Sequence, residues 1–397
     1  MKKVILVFLL VAGTVASAAV PRVSDVTMTQ YSKCSIGYTL SEAPGIVTFD
    51  ILTNGVSIGA QNLTNAVGDV NRLVQPGVRT IRWNAHEVWP GHKFRTPCVT
   101  AKVTVWPTNA PPDWLAVDLT KADCPVTYYA SEAALPWGSI GGNQKYKGDV
   151  MLMRKIPASH VLSFMGSPGT EAKRLTDGRE TRRMCTLTND FYIGIYPMTL
   201  RQYNLLNSGP TSTETRLKPV NNRSYTMLRY NASNPSGATA IDFPNTGRTQ
   251  VGDSSELKAW RDKTGLMLDL PTSAQWEFAC RAGTDTPLYN GGHTWANLVA
   301  ICSPDGYVYE VGLYAANSWQ LYDMIGNIFE WCLDYYEDGI SSDAVTDPLG
   351  PLAKSDFGRK IRGYHSTTDH KRAAFASAGA QNRQDPYFGF RLCITLP

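Results

Sequence analysis

The stretch Leu321-Tyr-Asp-Met-Ile-Gly-Asn-Ile-Phe-Glu-Trp331 decides how the rest of the chain is read. It sets Leu321, Tyr322, Met324, Ile328, Phe329 and Trp331 around a Gly326-Asn327 pair suited to backbone with positive φ. An apolar run broken by such a pair predicts core strand, tight turn and core again. The stretch also holds a carboxylate, Glu330, among large apolar residues. The amide oxygen of Asn327 and the carboxylate of Glu330 are hard donors that, with backbone carbonyls, suit calcium. The alternative is a buried carboxylate satisfied by backbone amides.

A chain of 397 residues has room for two or three domains and a sizeable core. Its formal charge is +4, and Lys2 and Lys3 fall in a segment expected to be removed. The remainder is closer still to neutral, and no basic run is interleaved with aromatics, so no nucleic-acid partner is expected. Residues 1–19 have the pattern of a signal peptide: Lys2-Lys3, an apolar run from Val4 to Val15, and Ala16-Ser17-Ala18 or Ser17-Ala18-Ala19 for cleavage. A secreted or periplasmic protein without a membrane span is expected. Export permits disulfides among the eight cysteines, none of which forms a CxxC pair.

Residues 20–106 read as short strands separated by turns: Val23–Gln30, Cys34–Leu40, Ile46–Leu52, Val78–Trp83 and Val99–Trp106. This pattern predicts an all-β sandwich, immunoglobulin- or fibronectin-like in spacing only, with Cys34 and Cys98 placed to join its sheets. Nothing in it suggests a site. Residues 107–150, from Pro107-Thr-Asn-Ala-Pro-Pro onward, read as a linker and irregular lead-in. The second domain, 151–397, shows helix starts at Thr199-Leu-Arg-Gln202, Asp253-Ser-Ser-Glu256 and Thr272-Ser-Ala-Gln275, with stops near Gly209, Gly265 and Gly283. Short helices joined by long aromatic-rich connections make it α+β and rich in irregular loops.

Phe191-Tyr-Ile-Gly-Ile-Tyr-Pro-Met-Thr-Leu-Arg-Gln-Tyr203, Leu270-Pro-Thr-Ser-Ala-Gln-Trp-Glu-Phe-Ala-Cys-Arg-Ala-Gly283, the 321–331 stretch and Gly389-Phe-Arg391 follow in that order. The set strongly resembles the formylglycine-generating enzyme, or sulfatase-modifying factor, family, whose fold is related to C-type lectins. The resemblance implies two structural calcium sites. One matches Asn297 and Asp305, with Leu298 and Tyr307 offering carbonyls; the other matches Asn327 and Glu330. Family members often pair a cysteine at the position of Cys280 with one just after Gly-Phe-Arg. Cys393 is the candidate partner, although it stands one residue late, and such a shift reverses a strand side chain.

The same resemblance argues against the family's oxidase chemistry. The oxidases bind copper(I), a soft ion, through two thiolates that follow an Arg-Gly-Gly-Ser-aromatic strand. Here the strand reads Arg362-Gly-Tyr-His-Ser366, the cysteine positions fall at Thr368 and Ala373, and no cysteine lies between Cys332 and Cys393. Copper is therefore not expected, and no catalytic residue is assigned. The His-x3-His-x-Glu motif of the iron-dependent relatives is absent, as are HExxH and GxSxG. His365, Asp369 and His370 read as exposed polar residues rather than a metal site, and Asp334, Glu337 and Asp338 keep a hydrolase as a minor option.

What remains is a polar display. Tyr364, His365, Ser366, Thr368, Asp369 and His370, with Gln381, Asn382 and Tyr387, offer mixed donors and acceptors for a protein or glycan ligand. Residues 364–370 are also of types reachable from asparagine codons by changing adenines. That composition suits the variable proteins of diversity-generating retroelements, some of which share this fold.

Overall fold

The structure is a computed structural model that describes residues 19–30, 33–92, 98–209, 217–231, 233, 243–244, 247, 250–292, 307–352, 356–363 and 370–397. In the N-terminal part, alternating burial along Cys34–Ser41 turns Ile36, Tyr38 and Leu40 inward. This strand lies between Arg22–Gln30 and Gly77–Trp83 in one antiparallel sheet, which Val67–Gly68 extends. A second antiparallel sheet is centred on Gly45–Thr53, which pairs along its length with Val99–Trp106. Val47 and Ile51 from the second sheet meet Ile36, Tyr38, Ile81 and Trp83 from the first in one core. All five anticipated strands are present, within a residue or so of their anticipated ends.

The lead-in is irregular only in part. Trp114–Asp118 is an inner strand of a five-stranded antiparallel sheet, flanked by Val126–Tyr129 and Val150–Ile156 and continued by Phe191–Gly194 and Cys393–Thr395. The segment Trp-Leu-Ala-Val is buried on both faces, so it lacks the alternation that marks a half-exposed strand. The C-terminal segment closes this sheet, so Trp114–Asp118, Val126–Tyr129 and Val150–Ile156 share one sheet with Cys393–Thr395.

Three of the helices begin as their hydroxyl caps dictate. Thr199 accepts from the Gln202 amide and Gln202 answers at the Thr199 amide, starting Leu200–Leu206; Thr272 and Gln275 do the same for Ser273–Arg281. The third helix, Glu256–Thr264, is capped by Ser255 rather than Asp253, because Ser255 Oγ takes the Lys258 amide. Gly265 ends it in the left-handed region at φ 70°. Two further sheets complete the domain. Val161–Met165 pairs with Arg183–Leu187, which Val345–Thr346 joins in parallel; Phe329–Tyr335 lies between Arg359–Arg362 and Phe388–Gly389, and Ala376–Gly379 flanks Arg359–Arg362.

The 321–331 stretch departs from its expected form in one respect. Gly326 and Asn327 have positive φ, at 95° and 62°, as the pair implies. Leu321–Ile328, however, is not a strand; Leu321, Met324, Ile325 and Ile328 are buried in irregular backbone, and the strand begins at Phe329. Gly389 shows why the Gly-Phe-Arg motif starts with glycine. A Cβ there would lie 2.7 Å from Ile328 Cδ1 and 2.5 Å from the Val220 carbonyl oxygen.

The expected disulfides are not formed. The seven described cysteines are free thiols, with Cys34 buried in one sheet and Cys98 exposed beside the other. Cys280 and Cys393 share a core, but the Cys393 thiol points to Gln275 Oε1 at 3.8 Å. Burial pushes the Cys185 and Cys280 thiols up to about 12 and that of Cys332 well above its usual value. Maleimide labelling of the native protein at pH 8, read by peptide mass spectrometry, should therefore modify Cys98 and leave Cys185, Cys280, Cys332 and Cys393 untouched until the chain is unfolded.

Candidate functional site

Glu330 is buried, yet none of its charge is left to solvent. Arg391 donates through Nη2 to its Oε1 at 3.0 Å and through Nε to its Oε2 at 3.1 Å, and Trp276 Nε1 donates to Oε2 at 2.7 Å. The fully buried Arg391 spends its other donors on the carbonyls of Gly194 at 2.8 Å and Tyr322 at 2.7 Å. Asn327 is engaged as well. Its Oδ1 accepts from the Tyr309 amide at 2.9 Å and its Nδ2 donates to the Tyr309 carbonyl at 3.2 Å. The alternative reading of Glu330 as a satisfied buried carboxylate thus has its partners, although they are side chains and not backbone amides. Calcium at Asn327 and Glu330 would have to compete with Arg391 for the carboxylate.

A second acid in the stretch escaped the sequence reading. Asp323 is buried with φ 53° and accepts the Gly312 amide at 2.6 Å. Burial pushes its carboxyl up to about 6, and the nearby Glu330 charge adds to that. The signal was available: a second carboxylate among residues that are otherwise core.

The helix Ser273–Arg281 builds the neighbouring cluster. Glu277 accepts from Arg281 Nη2 at 2.8 Å, the Gly166 amide at 2.9 Å and Arg362 at 3.0 Å. Burial alone would raise its carboxyl, but Arg281 and Arg362 hold it below the usual range. Arg362 also donates to Ser273 Oγ at 2.8 Å and to the Ala373 and Ala374 carbonyls at 3.0 and 3.2 Å. Ala373 is therefore a buried methyl whose carbonyl is clamped by Arg362 and whose amide donates to the Pro287 carbonyl at 2.9 Å. Beside it, Arg372 binds both Glu180 oxygens and Glu171 Oε1, each at 2.6 Å.

Tyr364, His365, Ser366, Thr368 and Asp369 lie outside the described residues, as do Asn297, Leu298 and Asp305. Of the remaining display residues, Asn382 is exposed. His370 stacks on Phe375 with ring centroids 4.8 Å apart. Gln381 faces inward: its Oε1 accepts from Arg359 at 3.3 Å and its carbonyl accepts from the Thr226 amide. Tyr387 is half-buried against the core, and Tyr307 is 63% exposed. The three carboxylates after Trp331 go separate ways. Asp334 is buried and accepts the Ser273 amide, Glu337 pairs with Lys360, and Asp338 is an exposed neighbour of Arg179.

A family model described as the sulfatase-modifying factor enzyme 1-like domain matches residues 158–396, more than half of the chain. This chain belongs to that family. The formylglycine-generating enzyme of Thermomonospora curvata is 28% identical over 185 residues, 41% of this chain and 59% of that protein. The chain thus spans less than two thirds of that relative. A bovine relative, inactive C-alpha-formylglycine-generating enzyme 2, is 32% identical over 110 residues, 24% of this chain and 35% of its own length. Among solved structures, Treponema denticola variable protein 1 aligns with a TM-score of 0.46 at 20% identity, covering 66% of this chain and 97% of that one.

The family motifs converge on the Glu330–Arg391 pair, which makes a quantitative expectation possible. Glu330→Gln strands a buried guanidinium and should lower unfolding free energy by about 3–5 kcal/mol in urea titration. A conservative change to an exposed residue such as Asn382→Ser should stay within about 0.5 kcal/mol.

Proposed function

We propose that this chain is an exported ligand-binding protein on a catalytically silent formylglycine-generating-enzyme-like scaffold, and that it presents residues 364–370 and exposed Asn382 to a protein or glycan. One observation carries the non-catalytic half of this reading: no cysteine lies between Cys332 and Cys393, and the resemblance, counted without gaps from Arg362, puts the family's two copper-binding positions at Thr368 and Ala373. A hydroxyl and a methyl cannot replace two thiolates. The buried, protonated thiols elsewhere, including Cys280 and Cys332, are not substitutes. The bovine relative named as inactive supports the same reading. Export rests on the signal-peptide pattern of residues 1–19.

A variable receptor-type protein of a diversity-generating retroelement is the second reading, favoured by the residue types at 364–370. It makes a separate forecast: the codons for that segment differ between isolates while those for Gly389-Phe-Arg391 do not. An enzyme of this family working through other residues is the third.

Calcium belongs to this proposal as a structural ion, at Asn297, Leu298, Asp305 and Tyr307, with Asn327 and Glu330 as a second set that has Arg391 as competitor. Two measurements bear on the reading. Pure protein incubated with copper(I) and a cysteine-containing sulfatase peptide should form no formylglycine by mass spectrometry; formation would overturn the non-enzymatic reading. A chelator should lower the melting temperature. An unchanged melting temperature, with no calcium found by elemental analysis, would remove the ion from the proposal.

A further inference from the structure

The central strand pair of the second N-terminal sheet has two different faces. Val47, Ile51 and Val105 turn toward the core, whereas Thr48 pairs with Thr104 and Asp50 with Lys102 on the opposite face, next to Trp106. A polar outer face is ordinary on a sandwich exposed to water. This one is walled in. The turn at residues 130–134 lies over it, anchored by the Tyr128 amide, which donates to the Asn71 carbonyl at 2.8 Å. The result is a cleft of about 230 Å³.

Its groups are held in place. Trp106 Nε1 donates to Thr48 Oγ1 at 2.9 Å, which fixes the ring, and Asp50 Oδ1 accepts from the Ile51 amide at 2.8 Å and Ser57 Oγ at 3.0 Å. Lys102 is exposed at the rim, and Ser131 contributes from the covering turn. An indole beside fixed acceptors, an ammonium donor and two hydroxyls that both donate and accept matches a molecule with an apolar C–H face and a ring of hydroxyls. Asp50 and Lys102 balance each other, so the cleft favours a neutral ligand over an anion. At about 230 Å³ it falls below the roughly 300–1,000 Å³ of pockets for drug-sized molecules, which restricts the occupant to about one ring.

We propose that this cleft, between the N-terminal sandwich and the 130–134 turn, binds a single neutral sugar ring, with Trp106 under its C–H face and Asp50, Lys102, Thr104 and Ser131 at its hydroxyls. The site is separate from the C-terminal display and does not depend on it. Saturation-transfer NMR on the full chain with glucose, galactose, mannose and N-acetylglucosamine tests it. At least one sugar should receive magnetisation, and Lys102→Ala, at an exposed position, should weaken its affinity at least tenfold with the melting temperature unchanged. Asp50→Ala should do the same where it folds. Asn382→Ala should leave sugar binding intact, which separates this site from the display surface. No transfer to any of the four sugars, or transfer that survives Lys102→Ala undiminished, overturns the proposal.

Discussion

The ion pair between Glu330 and Arg391 is the constraint on which the second domain depends. Both side chains are fully buried, so neither charge is tolerable without the other. Each reaches beyond the pair. Trp276, on the Ser273–Arg281 helix, completes the carboxylate; the Gly194 and Tyr322 carbonyls complete the guanidinium. Those residues come from every one of the motifs that identify the family: 191–203, 270–283, 321–331 and 389–391. Segments far apart in the chain thus have one hydrogen-bonded meeting point.

Arginine, more than regular secondary structure, organises the irregular backbone around that point. Buried carbonyls need donors, and a planar guanidinium supplies several at once. Arg391 serves two such carbonyls, and Arg362 serves those of Ala373 and Ala374 while pairing with Glu277. Arg359 repeats the device on the carbonyls of Phe243 and Leu333, at 2.7 and 2.8 Å. A lysine, with a single charged nitrogen, could not span these separated acceptors in a fixed plane. Long loops can then be carried without losing definition where they enter the core.

Much of this was legible in the sequence, and the failures have physical causes. The strands of the two N-terminal sheets were readable as apolar and β-branched runs between turns, with strict alternation along Cys34–Ser41. The caps at Thr199 and Thr272 were readable because a hydroxyl and a glutamine three residues on satisfy two helix-end amides. Trp114–Asp118 was missed because a strand covered on both faces shows no alternation, and the adjacent prolines suggested a linker. Glu256 lies where a capping box from Asp253 would need it, yet it turns to Tyr203, whose hydroxyl donates to it at 2.6 Å; Ser255 was free to cap instead. The partners of Glu330 were out of reach for another reason. Arg391 is 61 residues away, and nothing in local pattern tells an arginine that pairs in the core from one at the surface. The same limit hid the cleft beside Trp106, since its covering turn comes from a stretch read as structureless.

The distribution of thiols bears on what such a scaffold can still do. A copper(I) site needs two thiolates that are close, deprotonated and reachable. Here burial pushes Cys280 up to about 12 and Cys332 well above its usual value, and the backbone at Ala373 is fixed through its neighbours Arg362 and Pro287. A cysteine at position 373 would therefore place its sulfur in a packed core beside the Glu277–Arg281–Arg362 cluster. Those arginines would favour a thiolate there, while burial would oppose it. The charges of this cluster have a structural use of their own, because they hold Glu277 and the carbonyls of residues 373 and 374.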